Sequence, residues 1–167
     1  KKYKSLFESS HNAVITYEIK NGKFTLLDAN PAALKLFKAK TLSELLPHSP
    51  LSLSPAVQPG GAASKDRITE LTQSAIAAGS VSFEWQHRTL TNEPITCYVT
   101  VSHLNLPGKN VVMTSLWDIT TLKREEKRTA ERLGRLEKQK EALTKISAIT
   151  AATSLPAPTA PAAPPLS

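Results

Sequence analysis

Apolar positions along this chain switch between a period of two and a period of three to four, and each switch marks a change of element. Tyr3, Leu6 and Phe7 recur at helical spacing, and Ser9-Ser10-His11-Asn12 then favours a break, so a short lead-in helix is expected over residues 1–12. Residues 13–19 and 24–28 are β-rich and are joined by Lys20-Asn21-Gly22-Lys23. An Asn-Gly pair tolerates positive φ at both turn positions, which predicts an antiparallel hairpin. Asn30-Pro31 supplies a helix cap with proline at the first helical position, and Ala32, Ala33, Leu34, Leu36 and Phe37 continue a helix on which Leu34 and Phe37 share a face. Thr41 with Glu44 resembles a capping box for another short helix ending before Pro47.

Residues 48–63 are rich in Ser, Pro and Gly and predict an irregular surface loop. Ser64 is then placed to cap a longer helix through Ala78, because Ile68, Leu71, Ala75 and Ala78 recur at spacings of three and four and Gly79 follows. In residues 81–89 the period returns to two, with Val81, Phe83, Trp85 and His87 on one face and Ser82, Glu84, Gln86 and Arg88 on the other. Thr91-Asn92-Glu93 turns the chain into a strand over 95–101, and Pro107-Gly108-Lys109-Asn110 turns it into a last strand over 111–117. Two strands, short helices, a longer helix and three strands make an α+β pattern, with one sheet, helices on one side and a concave space between them.

The last strand gives way at Asp118-Ile119-Thr120 to a charged helical run from Leu122. A carboxylate at such a joint accepts hydrogen bonds from otherwise unpaired first-turn amides. A strand wired directly to a long helix suggests transmission of a mechanical signal. Leu122, Thr129, Leu133, Leu136 and Leu143 fall on one heptad frame that Glu126 and Lys140 interrupt, while Gly134 lowers helix propensity by about 1 kcal/mol. Such a seam suits a parallel homodimer able to shift register, and a solvated single helix is the alternative. Residues 122–150 are therefore read as an amphipathic signalling helix, and 151–167, rich in Ala and Pro, as a linker or disordered tail.

Composition changes little in this picture. The 167 residues carry 40% hydrophobic content, enough for one core of about 120 residues. A net charge of +7 comes from basic residues scattered among acids, and no basic segment alternates with aromatic residues, so a nucleic-acid partner is not expected. A single cysteine, Cys97, excludes an intrachain disulfide and favours a reducing, cytoplasmic setting. No run reaches the roughly 18 apolar residues of a membrane span, and Lys1-Lys2 is not followed by a signal-peptide core.

The order of elements, Asp28-Ala29-Asn30-Pro31-Ala32-Ala33 and the terminal Asp118-Ile119-Thr120 resemble a bacterial PAS sensory domain over roughly residues 3–127. Ser54-Pro55, Gln58-Pro59, Gly61, Ser64-Lys65, Ala75, Gly79, Phe83-Glu84-Trp85 and His87-Arg88 are similar to a recurring PAS variety. The resemblance implies a five-stranded antiparallel sheet in the order 2-1-5-4-3, with the domain spanning 13–121 and a helical flank enclosing a pocket. It further implies regulatory output through the helical linker to an output domain in the same chain, such as a histidine kinase or diguanylate cyclase.

Candidates to line that pocket are Asn30, Leu34, Phe37, Ile68, Leu71, Phe83, Trp85, His87, Cys97, Val99, Met113 and Ser115, with Trp117, Asp118 and Thr120 as transmission residues. PAS domains that form a flavin-cysteinyl adduct resemble one another in an Asn-Cys pair on the long helix, and haem-binding ones in a histidine there. Residues 64–78 hold neither cysteine nor histidine, so the cofactor is left unassigned and no metal site is expected. Cys97 reads as a small buried apolar residue. Trp85 reads as a pocket wall or as a core tryptophan paired to a backbone carbonyl. His87 has two readings: a neutral imidazole hydrogen-bonded to a buried ligand, or a partly exposed ring satisfied by a neighbour. Trp117 either reports pocket state to the helix or closes the sheet edge. Asp66, Glu70, Glu84 and Ser64-Lys65 form no catalytic constellation, so a regulatory domain rather than an enzyme is expected. Small-molecule sensing and ligand-free dimerisation or docking remain the two alternatives.

Overall fold

The computed structural model describes residues 2–154 and 160–166, with side chains from Lys4 onward. Lys1, the Tyr3 side chain, and residues 155–159 and 167 of the expected tail lie outside the described residues. The elements are α1 (Lys2–Ser9), β1 (Ala13–Lys20), β2 (Lys23–Ala29), α2 (Pro31–Leu36), α3 (Leu42–Leu45), α4 (Ser64–Ala78), β3 (Ser80–Arg88), β4 (Pro94–Leu106), β5 (Lys109–Asp118) and α5 (Thr120–Thr153). The strands pair antiparallel in one five-stranded sheet ordered β2-β1-β5-β4-β3. Two units divide the chain, Lys1–Lys123 and Arg124–Ser167.

Local chemistry explains most boundaries in the first unit. Asn21 (φ 52°) and Gly22 (φ 74°) both take positive φ, the pairing a two-residue hairpin turn requires. Asn30 caps α2 by accepting from the Ala33 amide at 3.0 Å, with Pro31 at the first helical position. Its side chain does more than cap: Oδ1 also accepts from the Val14 amide, and Nδ2 donates to the Phe7 and Asn12 carbonyls at 3.0 and 2.9 Å. One buried amide thus joins α1, β1 and α2. Gly79 ends α4 at φ 94°, and a Cβ there would meet nothing within 4 Å. Gly79→Ala is therefore expected to cost about 1–2 kcal/mol of backbone strain without any clash, measurable as a lower urea midpoint at unchanged slope.

Several local expectations are corrected. Thr41 makes no side-chain cap; Glu44 instead accepts from the Lys40 amide at 2.8 Å, so the reciprocal box does not close. Ser64 is the first residue of α4 rather than its cap, a position held by Ala63. Its buried hydroxyl donates to the Pro55 carbonyl and accepts from Gln58 Nε2 at 3.0 Å. The 48–63 segment is no mere surface loop. Leu53 is buried and its carbonyl accepts from the Arg88 amide at 2.7 Å, while the Gln58 side chain accepts from the Gln86 amide and donates to the Gln86 carbonyl. A side-chain amide here stands in for a sixth strand, covering the exposed edge of β3. Strand β4 runs to Leu106, beyond the expected end at 101, because its pairing with β5 continues to Leu106 opposite Lys109.

The core lies between the concave sheet face and α2, α3 and α4, with Ile15, Phe37, Leu45 and Cys97 fully buried. In α5, by contrast, no residue is buried, and Leu122, Leu133, Leu136 and Leu143 are all exposed. The helix begins at Thr120 and extends to Thr153, beyond the 122–150 expected, and Ser154 and residues 160–166 have no regular secondary structure.

Candidate functional site

The alternation of β3 puts Phe83, Trp85 and His87 on the concave face, where Val99 and Val101 of β4 and Val112, Thr114 and Leu116 of β5 join them. With Ile15 and Tyr17 of β1 and Ile68 and Leu71 of α4, these side chains line a partly open cavity of about 60 Å³. Three of the four phenylalanines in the sequence, Phe24, Phe37 and Phe83, face it. Edge-to-face contacts order the rings: Phe37 with His87 at 5.5 Å, Phe83 with Trp85 at 5.8 Å and Tyr17 with Phe24 at 6.0 Å.

His87 is the polar anomaly of this wall. It is only 7% exposed, and neither ring nitrogen has a hydrogen-bond partner among the described residues. Burial lowers its pKa from 6.5 to about 4, so the ring is neutral at pH 7. The Leu53 backbone pulls the other way, near the ring but without a hydrogen bond of ordinary geometry to either nitrogen. Burial equally pushes the Tyr17 phenol above its usual range. Trp85 differs, since its Nε1 donates to the Ser54 hydroxyl at 2.9 Å rather than to a backbone carbonyl.

The other candidates separate cleanly. Phe37, Ile68, Leu71, Phe83, Trp85, His87 and Val99 line the cavity. Asn30 is fully buried but serves the junction of α1, β1 and α2, and Leu34 packs on the core without reaching the cavity. Cys97 is buried beside the cavity, its thiol pushed up to about 12 by desolvation and then by the Asp118 carboxylate, which makes it an inert packing residue. Met113 and Ser115 are corrections. Leu116 lies opposite Val99 and Thr114 opposite Val101, so Met113 and Ser115, one residue off, face away from the cavity. Sequence reasoning missed Ile15, Tyr17, Phe24, Pro50, Leu53, Thr72, Val101, Val112, Thr114 and Leu116. The alternation of β1 signals the first two, whereas the continuous run Val111-Val112-Met113 hides the parity of β5.

At the exit of β5, Asp118 Oδ1 accepts from the Thr120 amide at 2.9 Å and from the Thr120 hydroxyl at 2.5 Å. That hydroxyl accepts in turn from the Thr96 amide at 3.0 Å, and the Thr96 carbonyl accepts from the Ile119 amide at 2.9 Å. Lys123 and Glu84 then pair at 2.8 Å, linking the first turn of α5 to β3. Asp118 is thus a capping carboxylate tied to β4 through Thr120. Trp117 is 60% exposed on the convex face opposite Tyr98, and because β5 is the middle strand, it closes no edge. Among the described residues no group of three or more His, Cys, Asp or Glu could hold a metal, and no helix is long and apolar enough to cross a membrane.

A family profile described as PAS domain matches residues 1–73. No curated protein sequence matches the chain at a significant level. Among solved structures, an RNA-binding light-oxygen-voltage receptor superposes with a TM-score of 0.62 at 17% identity, over 84% of this chain and 38% of that one. A domain of a sensory box sensor histidine kinase/response regulator from Geobacter sulfurreducens gives 0.52 at 18% identity, over 68% and 90%. The PAS domain of a LuxR-family transcriptional regulator from Burkholderia thailandensis, in complex with ethanol, gives 0.54 at 22% identity, over 70% and 96%. The chain spans well under half of the first of these, and at such identities the likeness is one of fold. The 2-1-5-4-3 sheet with a helical flank over its concave face is the PAS fold, and the PAS domain profile matches residues 1–73 within it.

Proposed function

We propose that this PAS domain is a sensory, non-enzymatic module that binds a small molecule in its aromatic cavity. It passes the bound state through β5 to α5, and so to an output unit of the same polypeptide such as a histidine kinase or diguanylate cyclase. One observation carries the reading: β5 contributes Val112, Thr114 and Leu116 to the cavity wall, and two residues later forms the Asp118-Thr120-Thr96 lock that starts α5. A ligand that favours one sheet geometry would bias that lock by its differential affinity for the two states. The sensory settings of structural neighbours support the reading, and the inert Cys97 suits a cytoplasmic location.

The test couples ligand to lock. Hydrogen exchange of the Thr96, Ile119 and Thr120 amides should change when a cavity ligand saturates the protein. Asp118→Ala and Thr120→Val should leave the fold intact but reduce that change at least about 5-fold, the low end of ordinary coupling energies. Unaltered coupling in both variants would reduce Asp118 and Thr120 to a helix cap.

A second reading is a ligand-free dimerisation or docking module. The exposed Leu133, Leu136 and Leu143 of α5 favour it, as a seam for a parallel homodimer. Sedimentation of the full chain with and without a cavity ligand separates the two, since this reading requires a dimer that is indifferent to the cavity.

A further inference from the structure

The chemistry of the cavity wall narrows the class of ligand, on the reading above that the cavity is a ligand site. None of the residues that line it carries a formal charge. An anion or cation placed there would give up its hydration with no counter-ion to offset the loss. The volume of about 60 Å³ limits the occupant. An apolar cavity of about 150 Å³ takes benzene, with its six non-hydrogen atoms, so this space suits on the order of two to four.

The polar groups restrict it further. Trp85 Nε1 is already engaged by Ser54, whereas both nitrogens of the buried His87 are unpartnered, an arrangement that native proteins avoid without cause. A neutral imidazole presents one donor and one acceptor, so it can serve either a hydroxyl or a carbonyl oxygen. Tyr17 stands on β1, three strand spacings from β3 and about 14 Å away between backbones, too far for so small a molecule to engage both. The ring of Phe37, set edge-to-face against His87, supplies an apolar wall beside the imidazole.

We propose that the cavity takes an uncharged molecule with a short alkyl body and a single hydroxyl or carbonyl oxygen, a small alcohol or ketone, whose oxygen hydrogen-bonds to His87. A hydrocarbon of the same shape would fill the space but leave both ring nitrogens unpaired, and so binds less tightly. For four non-hydrogen atoms the ceiling on binding efficiency places the dissociation constant at roughly tens of micromolar or weaker. The module therefore reports an abundant small metabolite rather than a trace signal.

The full chain, labelled with ¹⁵N in its histidine rings, is titrated with 2-propanol, acetone, acetate and dissolved propane. Expected are saturable shifts of the His87 ring nitrogens with 2-propanol and acetone, affinities at least tenfold above that of propane, and no binding of acetate. In His87→Phe, checked as folded by its Thr96 and Ile119 amide signals, 2-propanol affinity falls at least tenfold while propane affinity holds or improves. Acetate or propane binding as tightly as 2-propanol overturns the proposal, as does 2-propanol affinity unchanged in His87→Phe. If none of the four probes binds but native mass spectrometry finds another small molecule retained, the ligand class is wrong and the sensory reading stands. A cavity that holds only water in both experiments overturns both.

Discussion

Asn30→Ala is expected to lower the stability of the domain by about 3–4 kcal/mol, a large fraction of the total for a domain of this size. The side chain makes four hydrogen bonds to backbone groups, accepting from the Val14 and Ala33 amides and donating to the Phe7 and Asn12 carbonyls, all at 2.9–3.0 Å. It is 0% exposed, so truncation leaves these groups without water to replace it, at about 1–3 kcal/mol for each one left fully unsatisfied. The sum is less than additive, because the Ala33 amide also reaches the Asn30 carbonyl and α1 can swing outward. Asn30→Asp should be at least as damaging, since its second carboxylate oxygen would face the Phe7 and Asn12 carbonyls where the amide now donates. Urea unfolding followed by Trp fluorescence measures both variants. A loss below about 1 kcal/mol in Asn30→Ala would show that the three-element junction is held by packing alone.

The second large effect is on pH. His87 binds a proton with a pKa of about 4 in the folded chain against 6.5 when unfolded, because burial disfavours the imidazolium. Between these values the unfolded state holds more protons, so stability is fully present above pH 6.5 and falls as pH is lowered toward 4. At about 1.36 kcal/mol per unit, His87 alone accounts for a loss of roughly 3 kcal/mol across that window. Carboxylates titrate at the lower end of the same range, so the measurement is a difference: the pH slope of unfolding free energy in the parent chain minus that in His87→Phe. The variant should be flatter between pH 6.5 and 4 and no less stable at pH 7, since a phenyl ring removes two unpaired buried nitrogens. Equal slopes would mean that His87 gains a partner or reaches solvent in solution.

What could be read from the sequence follows from what is local. Asn21-Gly22, Asn30-Pro31 and Gly79 fix their turns, cap and helix end through the φ angles and hydrogen bonds of a few adjacent residues, and each does so in the structure. The period of two in β3 likewise places Phe83, Trp85 and His87 together on one face, because alternation is a property of the extended backbone itself. The capping box at Thr41 and the cap at Ser64 fail for the opposite reason. A hydroxyl can serve several competing partners. In Ser64 the Pro55 carbonyl, to which it donates, and the Gln58 amide, from which it accepts, win over its own helix, while at Thr41 the Glu44 carboxylate accepts from the Lys40 amide instead.

The chain by itself therefore determined the order of its elements, the faces of its alternating strands and the strand-to-helix joint at Asp118-Ile119-Thr120. Only the tertiary structure decided which face of β5 meets the cavity, because Val111-Val112-Met113 is apolar throughout and its parity comes from pairing with β4. Nor could local pattern show that His87 is buried without a hydrogen-bond partner among the described residues, or that Gln58 closes the β3 edge. Burial and satisfaction are set by residues distant along the chain, and those meet only once the sheet has curved over its helices.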